Sequence, residues 1–136
     1  MIEEKFRIDG IDISGILWKS DGPDIVATNE NRIWKVECKG LGGGKPSTLR
    51  NNFDRALASV VTYWDIEGKE QCIAISLPYN EFYNSQIEIR VKLSLRKHLN
   101  LWILLYIPNY KILPFSPDLE FSGETIVNSL AKQAIT

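Results

Sequence analysis

Ile33-Trp34-Lys35-Val36-Glu37-Cys38-Lys39 is the stretch that decides the fold of this chain. Lys35, Glu37 and Lys39 alternate with Trp34, Val36 and Cys38, and a period of two places the three charged side chains on one face of a β-strand. Upstream, Asp24 to Thr28 is a short apolar run, and Asn29-Glu30-Asn31-Arg32 between the two runs carries turn residues. Read as a hairpin centred between Glu30 and Asn31, the strands pair residues whose numbers add to 61. Asp24 then lies opposite Glu37 on the same side of the sheet, because directly opposed residues share a face. Lys39 lies two residues further along that face.

Further upstream, Ile11, Ile13, Ile16 and Trp18 sit among β-compatible neighbours and end in the turn cluster Ser20-Asp21-Gly22-Pro23. Downstream, residues Gly40 to Pro46 form a glycine-rich loop, and Ser47 is suited to cap a helix. Leu49, Phe53, Leu57, Val60, Val61 and Trp64 recur at helical spacing, which predicts an amphipathic helix to about Asp65. Its polar face holds Arg50, Asn51, Asp54, Arg55, Ser59 and Thr62.

Cys72 to Leu77 reads as a strand ended by Pro78. Residues 79–100 carry two periods. Ile87, Ile89, Val91, Leu93 and Leu95 alternate as in a strand, while Val91, Leu95 and Leu99 fit a helix, expected over Lys92 to Asn100. Trp102 to Ile107 is a buried strand, Lys111 to Phe115 another, and Thr125 to Ala134 a terminal helix. This order predicts an α/β architecture, a mixed sheet with helices packed on its faces.

The chain has 136 residues, 44% hydrophobic and 24% charged, which predicts a single domain over residues 1–136 with a sufficient core. Disorder and a disulfide-dependent miniprotein are excluded. Two cysteines and one histidine exclude a four-ligand Cys/His zinc site from one chain. Cys38 and Cys72 lie in apolar runs and read as free, core-facing thiols, which fits a reducing cytoplasm. The N-terminus lacks the apolar stretch of a signal peptide. The longest apolar run, Leu101 to Pro108, is far shorter than the roughly 20 residues of a membrane helix, so no membrane partner is expected.

The net charge of −1 conceals segregation: residues 1–30 hold seven acids and three bases, residues 31–60 six bases and two acids. Such blocks are ordinarily solvated faces, yet they also allow a local basic surface on an acidic protein. The glycine loop is not a phosphate loop. A G-x-x-x-x-G-K-[ST] pattern ending at Gly44-Lys45 needs Gly at 39 and Ser or Thr at 46, where Lys39 and Pro46 stand. His98, the only histidine, belongs to Arg96-Lys97-His98 near a helix end, where a surface cation is expected.

Asp24, Glu37 and Lys39 are the residues with chemistry to offer. Two carboxylates one side chain apart repel unless a cation lies between them. A hard divalent ion such as Mg²⁺ suits carboxylates, waters and phosphate oxygens. A neighbouring lysine can hold an attacking water and add positive charge beside a pentavalent phosphate. The same residues would also make an exposed cross-strand charge cluster with no chemistry.

Gly22-Pro23-Asp24, twelve intervening residues and Glu37-Cys38-Lys39 together resemble the PD-(D/E)xK nuclease superfamily, the restriction-endonuclease-like fold. With the hairpin, loop, helix and strand that follow, the resemblance runs from about Ile11 to Ile107. It implies a mixed central sheet with flanking helices and Mg²⁺ (or Mn²⁺ in its place) as cofactor. It further implies that Asp24, Glu37 and the backbone carbonyl of Cys38 are metal ligands, with Lys39 as the catalytic lysine. Two features depart from the pattern. Only Met1 to about Glu4 precede the first strand, where relatives carry a helix that often supplies a further Glu, so the leading helix is expected to be truncated, displaced or supplied by a partner, and Glu3 and Glu4 are candidates for that acid. Where exonuclease-like relatives carry Gln in a "QL…Y" setting, this chain has Ser59-Val60 and then Tyr63.

Lys45, Arg50 and Arg55 flank the proposed site as phosphate-contacting residues, which position a nucleic acid without reading its sequence. The leading expectation is a divalent-metal-dependent DNA endonuclease, with RNA as another possible substrate. The alternative is a non-catalytic nucleic-acid-binding or assembly module on the same fold, in which the full Asp24, Glu37 and Lys39 set would have no use. A missing leading helix would leave apolar surface for Ile2, Phe6, Ile8 and Ile11 to cover. A homodimer, or docking on a partner domain, is therefore expected.

Overall fold

Strand β1 (Ile25–Thr28) and strand β2 (Arg32–Cys38) form the antiparallel hairpin that the alternation predicts. The structure, a computed structural model, describes residues 22–65, 67–107 and 111–135. The hairpin register runs from Ile25 opposite Val36 to Thr28 opposite Ile33, so each pair adds to 61 as expected. Asn29 sets the turn: its Oδ1 accepts the N–H groups of Asn31 and Arg32, each at 2.8 Å, the local bonding that makes asparagine a turn residue.

From the hairpin the sheet grows by parallel pairing. β2 lies parallel to β3 (Glu70–Pro78) and β3 parallel to β4 (Leu101–Ile107), and β5 (Lys111–Phe115) returns antiparallel to β4. The strand order is β1-β2-β3-β4-β5. Parallel neighbours need crossovers. Helix α1 (Pro46–Val60) supplies the first, α2 (Glu81–Arg90) and α3 (Leu93–Leu99) the second, and α4 (Gly123–Ile135) follows β5. The protein is thus α/β, with a five-stranded mixed sheet and four helices among the described residues.

The sheet divides its buried side chains into two clusters. On one face Ile73, Ile75 and Leu77 of β3 and Leu101, Ile103 and Leu105 of β4 pack against Leu49, Phe53, Ala56 and Val60 of α1, Tyr83 and Ile87 of α2 and Ile126 of α4. Full burial of a side chain such as Phe53 or Ile75 contributes about 1.5–3 kcal/mol. On the other face lie Ile25, Ala27, Trp34, Val36, Cys72, Ala74 and Leu104, with the Trp34 and Trp102 rings edge to face at 4.9 Å. Residues Gln71 to Pro78 of β3 are buried throughout, as expected of a strand covered on both sides. Cys38 and Cys72 are free thiols.

Several boundaries differ from the sequence reading. Lys45, not Ser47, occupies the N-cap position of helix α1, without a side-chain capping bond, because Pro46 takes the first helical position, where its missing N–H costs nothing. It ends at Val60 and not near Asp65. The N–H groups of Thr62 and Tyr63 bond to the carbonyls of Ser59 and Val60 at 2.9 and 3.2 Å, a tightened last turn after which the chain leaves the helix. Val61 and Trp64, expected in the core, are consequently 53% and 39% exposed. The strand-like alternation through Ile87 and Ile89 belongs to helix α2, started by Asn80, whose Oδ1 accepts the Tyr83 N–H at 3.1 Å. A good N-cap outweighed the alternation.

Helix α3 contributes a fully buried arginine. The Arg96 guanidinium donates to the carbonyls of Phe115 at 2.9 Å, Ser116 at 2.6 Å, Leu119 at 2.8 Å and Leu101 at 3.4 Å. Burial pushes its pKa down to about 10, so it remains a cation at neutral pH. His98, in the last turn of the same helix, is exposed.

The strand expected over Ile11 to Trp18, the truncated leading helix, Glu3 and Glu4, and the apolar residues Ile2, Phe6, Ile8 and Ile11 all lie outside the described residues. Among the described residues no helix is long and apolar enough to cross a membrane.

Candidate functional site

The hairpin register, extended by one pair beyond Ile25 and Val36, sets Asp24 opposite Glu37. One hydrogen bond fixes this end of the hairpin: Asp24 Oδ2 accepts the Cys38 N–H at 2.8 Å. Glu37 and Lys39 occupy the carboxyl end of β2, and the Lys39 N–H continues the parallel pairing by bonding to the Ser76 carbonyl at 3.1 Å. In open α/β sheets ligands bind outside the carboxyl ends of the strands. The pair therefore stands where this architecture leaves room for a ligand.

Period two puts Asp24, Glu37 and Lys39 on the face that carries the helices, with Lys35 beside them. Glu37 is buried, at 6% exposure, and both of its oxygens are engaged. Lys39 Nζ lies 3.4 Å from Oε2, and the Tyr63 hydroxyl donates to Oε1. Tyr63, just beyond the end of α1, also directs its hydroxyl at the Gly22 carbonyl, 3.4 Å away. Burial raises the Tyr63 pKa above the ordinary phenol range. The hydrogen bond to Glu37 and its negative charge raise it further, and Asp24 adds a smaller electrostatic contribution. Both carboxylates thus bear on one hydroxyl, which stays a neutral donor.

A second group of side chains secures the backbone that carries Lys39. The Tyr83 hydroxyl donates to the Gly40 carbonyl at 2.6 Å, Asn52 Nδ2 approaches the same carbonyl at 3.4 Å, and the Tyr106 hydroxyl donates to the Lys39 carbonyl at 3.3 Å. Beyond them the chain turns through Gly42, whose φ of +56° disfavours other residues and where an added Cβ would meet Thr48 at 3.0 Å. The loop is therefore held where it leaves β2, not left loose by its glycines.

The donor set can be tested against a metal. Among the described residues no group of three His, Cys, Asp or Glu side chains that could hold a metal ion occurs. Two carboxylates are present, together with the Cys38 carbonyl. In an extended strand a residue's N–H and C=O leave on the same side, so this carbonyl leaves β2 on its β1 side, as the N–H bonded to Asp24 does. The Cys38 side chain lies with the opposite cluster. Oxygen donors of this number and kind fit Mg²⁺, which takes one or two carboxylates and keeps several waters.

Lys45, Arg50 and Arg55 are all exposed. Lys45 occupies the N-cap position of α1 and Arg50 follows in its first turns, at the loop end of the helix. Arg55 lies five residues on, about 140° around the helix from Arg50. Tyr63, Tyr83, Tyr106 and Asn52 were not singled out from sequence as parts of the site. Only Tyr63 has a local signal, the Ser59-Val60 to Tyr63 stretch, which departs from the "QL…Y" setting in its glutamine and keeps the tyrosine.

Compared with protein-family models, with curated proteins and with solved structures, the chain matches none. The site stands on its geometry alone.

Proposed function

We propose that this protein hydrolyses phosphodiester bonds of nucleic acids, DNA foremost, at Asp24, Glu37 and Lys39 with a divalent metal ion, on a restriction-endonuclease-like fold. The observation that carries this reading is the hairpin register that sets Asp24 opposite Glu37 on one face, with the Lys39 ammonium 3.4 Å from Glu37. Two carboxylates on one face beside a lysine, at the open end of parallel strands, form the donor set that a hard divalent ion and a phosphate require.

Asp24, Glu37 and the Cys38 carbonyl would hold the metal ion. When bound, Mg²⁺ supplies positive charge against the phosphate oxygens and acidifies water at the site. Lys39 holds the attacking water in line with phosphorus and faces the charge that accumulates there. Water oxygen adds to phosphorus as one of its protons passes to solvent, the bond to the leaving sugar oxygen breaks, and that oxygen takes up a proton from solvent to leave as the alcohol. Tyr63 keeps the Glu37 carboxylate in one orientation. Tyr83, Asn52 and Tyr106 hold the Lys39 backbone still. Lys45 and Arg50 offer charge to the phosphates flanking the cut.

The test is cleavage of supercoiled plasmid, linear duplex, branched DNA and RNA in Mg²⁺, Mn²⁺ or EDTA. Cutting that requires the metal and is lost in Asp24→Asn supports the reading. Binding without cutting in every metal replaces it with the non-catalytic module.

A further inference from the structure

Next to Asp24 and Glu37 on the helix-covered face stands the pair Val26 and Lys35. A cleft of about 320 Å³ opens over this part of the hairpin. Gly22, Pro23 and Lys35 form its hairpin side, and Tyr63, Trp64 and Glu67 approach from the connection between α1 and β3. Tyr63 serves both spaces, since it lines the cleft while its hydroxyl bonds to Glu37.

The charges in the cleft select against an anion. Lys35 Nζ donates to the Tyr63 carbonyl at 2.8 Å and to Gln71 Oε1 at 2.9 Å, and it pairs with Glu67 at 3.0 Å. Its three protons are thus used inside the protein. The other charged lining residues, Asp65 and Glu67, are acidic. A phosphate is repelled there, whereas a flat uncharged ring bearing N–H donors meets acceptors. Trp64, 39% exposed, gives such a ring an indole to stack on. Two residues along a strand span about 7 Å, similar to the reach from a phosphodiester to the base it carries.

We propose that the cleft receives one unpaired nucleobase of the strand whose phosphodiester lies at Asp24, Glu37 and Lys39. This rests on the phosphodiesterase reading above and refines its substrate: single strands, flaps and frayed ends are preferred over blunt, continuous duplex.

The experiment measures binding of the full chain to a short fluorescein-labelled single strand and to the blunt duplex of the same sequence, in Ca²⁺, by anisotropy. Wild type is compared with Trp64→Ala and Trp64→Phe. Loss of a stacked base should weaken single-strand binding roughly 5- to 100-fold in Trp64→Ala. Trp64→Phe should retain most of the affinity, and duplex binding should not change. Equal losses on both substrates, no loss on either, or no single-strand binding by wild type overturns the proposal. Cleavage in Mg²⁺ is followed in parallel. Metal-dependent cutting with single-strand binding indifferent to Trp64 removes the base cleft and leaves the phosphodiesterase. Trp64-dependent single-strand binding without cutting in Mg²⁺ or Mn²⁺ supports the cleft and removes the phosphodiesterase.

Discussion

The Tyr63 hydroxyl donates a hydrogen bond to Glu37, a residue 26 positions earlier in the chain, and so joins the connection after α1 to the carboxyl end of β2. A hydrogen bond to a charged group contributes about 1.5–3 kcal/mol. Tyr63→Phe should therefore lower stability by about that amount, read from urea unfolding, with the ring still filling its place. A change confined to a few tenths of a kcal/mol would mean that Glu37 is held by other contacts.

Stability should fall at alkaline pH. Tyr63, Tyr83 and Tyr106 have pKa values raised above the ordinary tyrosine value of 10.0, each mainly by burial. Their contribution to stability is complete below about pH 10, the unfolded value, and is lost as pH rises through the folded values. Arg96 acts in the opposite sense, since its pKa is lowered to about 10, but one group opposes three. Urea midpoints should decline as pH rises above about 10, and the slope should be shallower in Tyr63→Phe. A flat profile would show that the hydroxyls ionise as freely in the folded protein as in the unfolded chain.

Lys39→Ala should abolish cleavage and spare binding. Removing the partner of the attacking water should cost on the order of a hundredfold or more in rate. Total phosphate affinity should change little, because one lysine among several basic residues is lost. Single-turnover cleavage and gel-shift titrations separate the two effects, and wild-type rates in this variant would end the assignment of Lys39.

Arg96→Met should destabilise the fold far from the site. The variant keeps the apolar stem and takes a donor from four carbonyls, of which the Ser116 carbonyl keeps a further partner, the Leu119 N–H at 3.0 Å. Unsatisfied buried acceptors cost about 1–3 kcal/mol each, so a loss of about 3 kcal/mol or more is expected in urea unfolding. A smaller loss would indicate that water reaches those carbonyls.

The hairpin was legible because its information is local. Lys35, Glu37 and Lys39 alternate without interruption, and Asn29 to Arg32 offer one turn centre, so the register and the facing of Asp24 and Glu37 followed by counting. The supports of the site were not legible for the opposite reason. Tyr83 and Tyr106 reach Gly40 and Lys39 from 43 and 67 positions away, and nothing near either tyrosine announces that contact. Helix α2 was missed because Ile87 and Ile89 alternate as in a strand, although Ile89 is 60% exposed and only Ile87 of the two is buried. Trp64 was assigned to the core by a helical period that continues on paper beyond the point where the helix ends.

The distances along the chain also impose an order on assembly. Asp24 and the Cys38 N–H are 14 positions apart and joined by a short turn, and hairpins of this kind close in about 1–10 μs. Tyr63 comes into place only after α1 has formed and β2 has found β3 in parallel, a slower closure over a longer loop. In the interval the nascent hairpin carries its own counter-charge, because Lys39 follows Glu37 on the same face. The carboxylates are thus balanced locally from the first closure, and the hydroxyl adds orientation only later. Glu37→Gln should therefore refold at close to the native rate in stopped-flow mixing and unfold faster, since the bond to Tyr63 is made late.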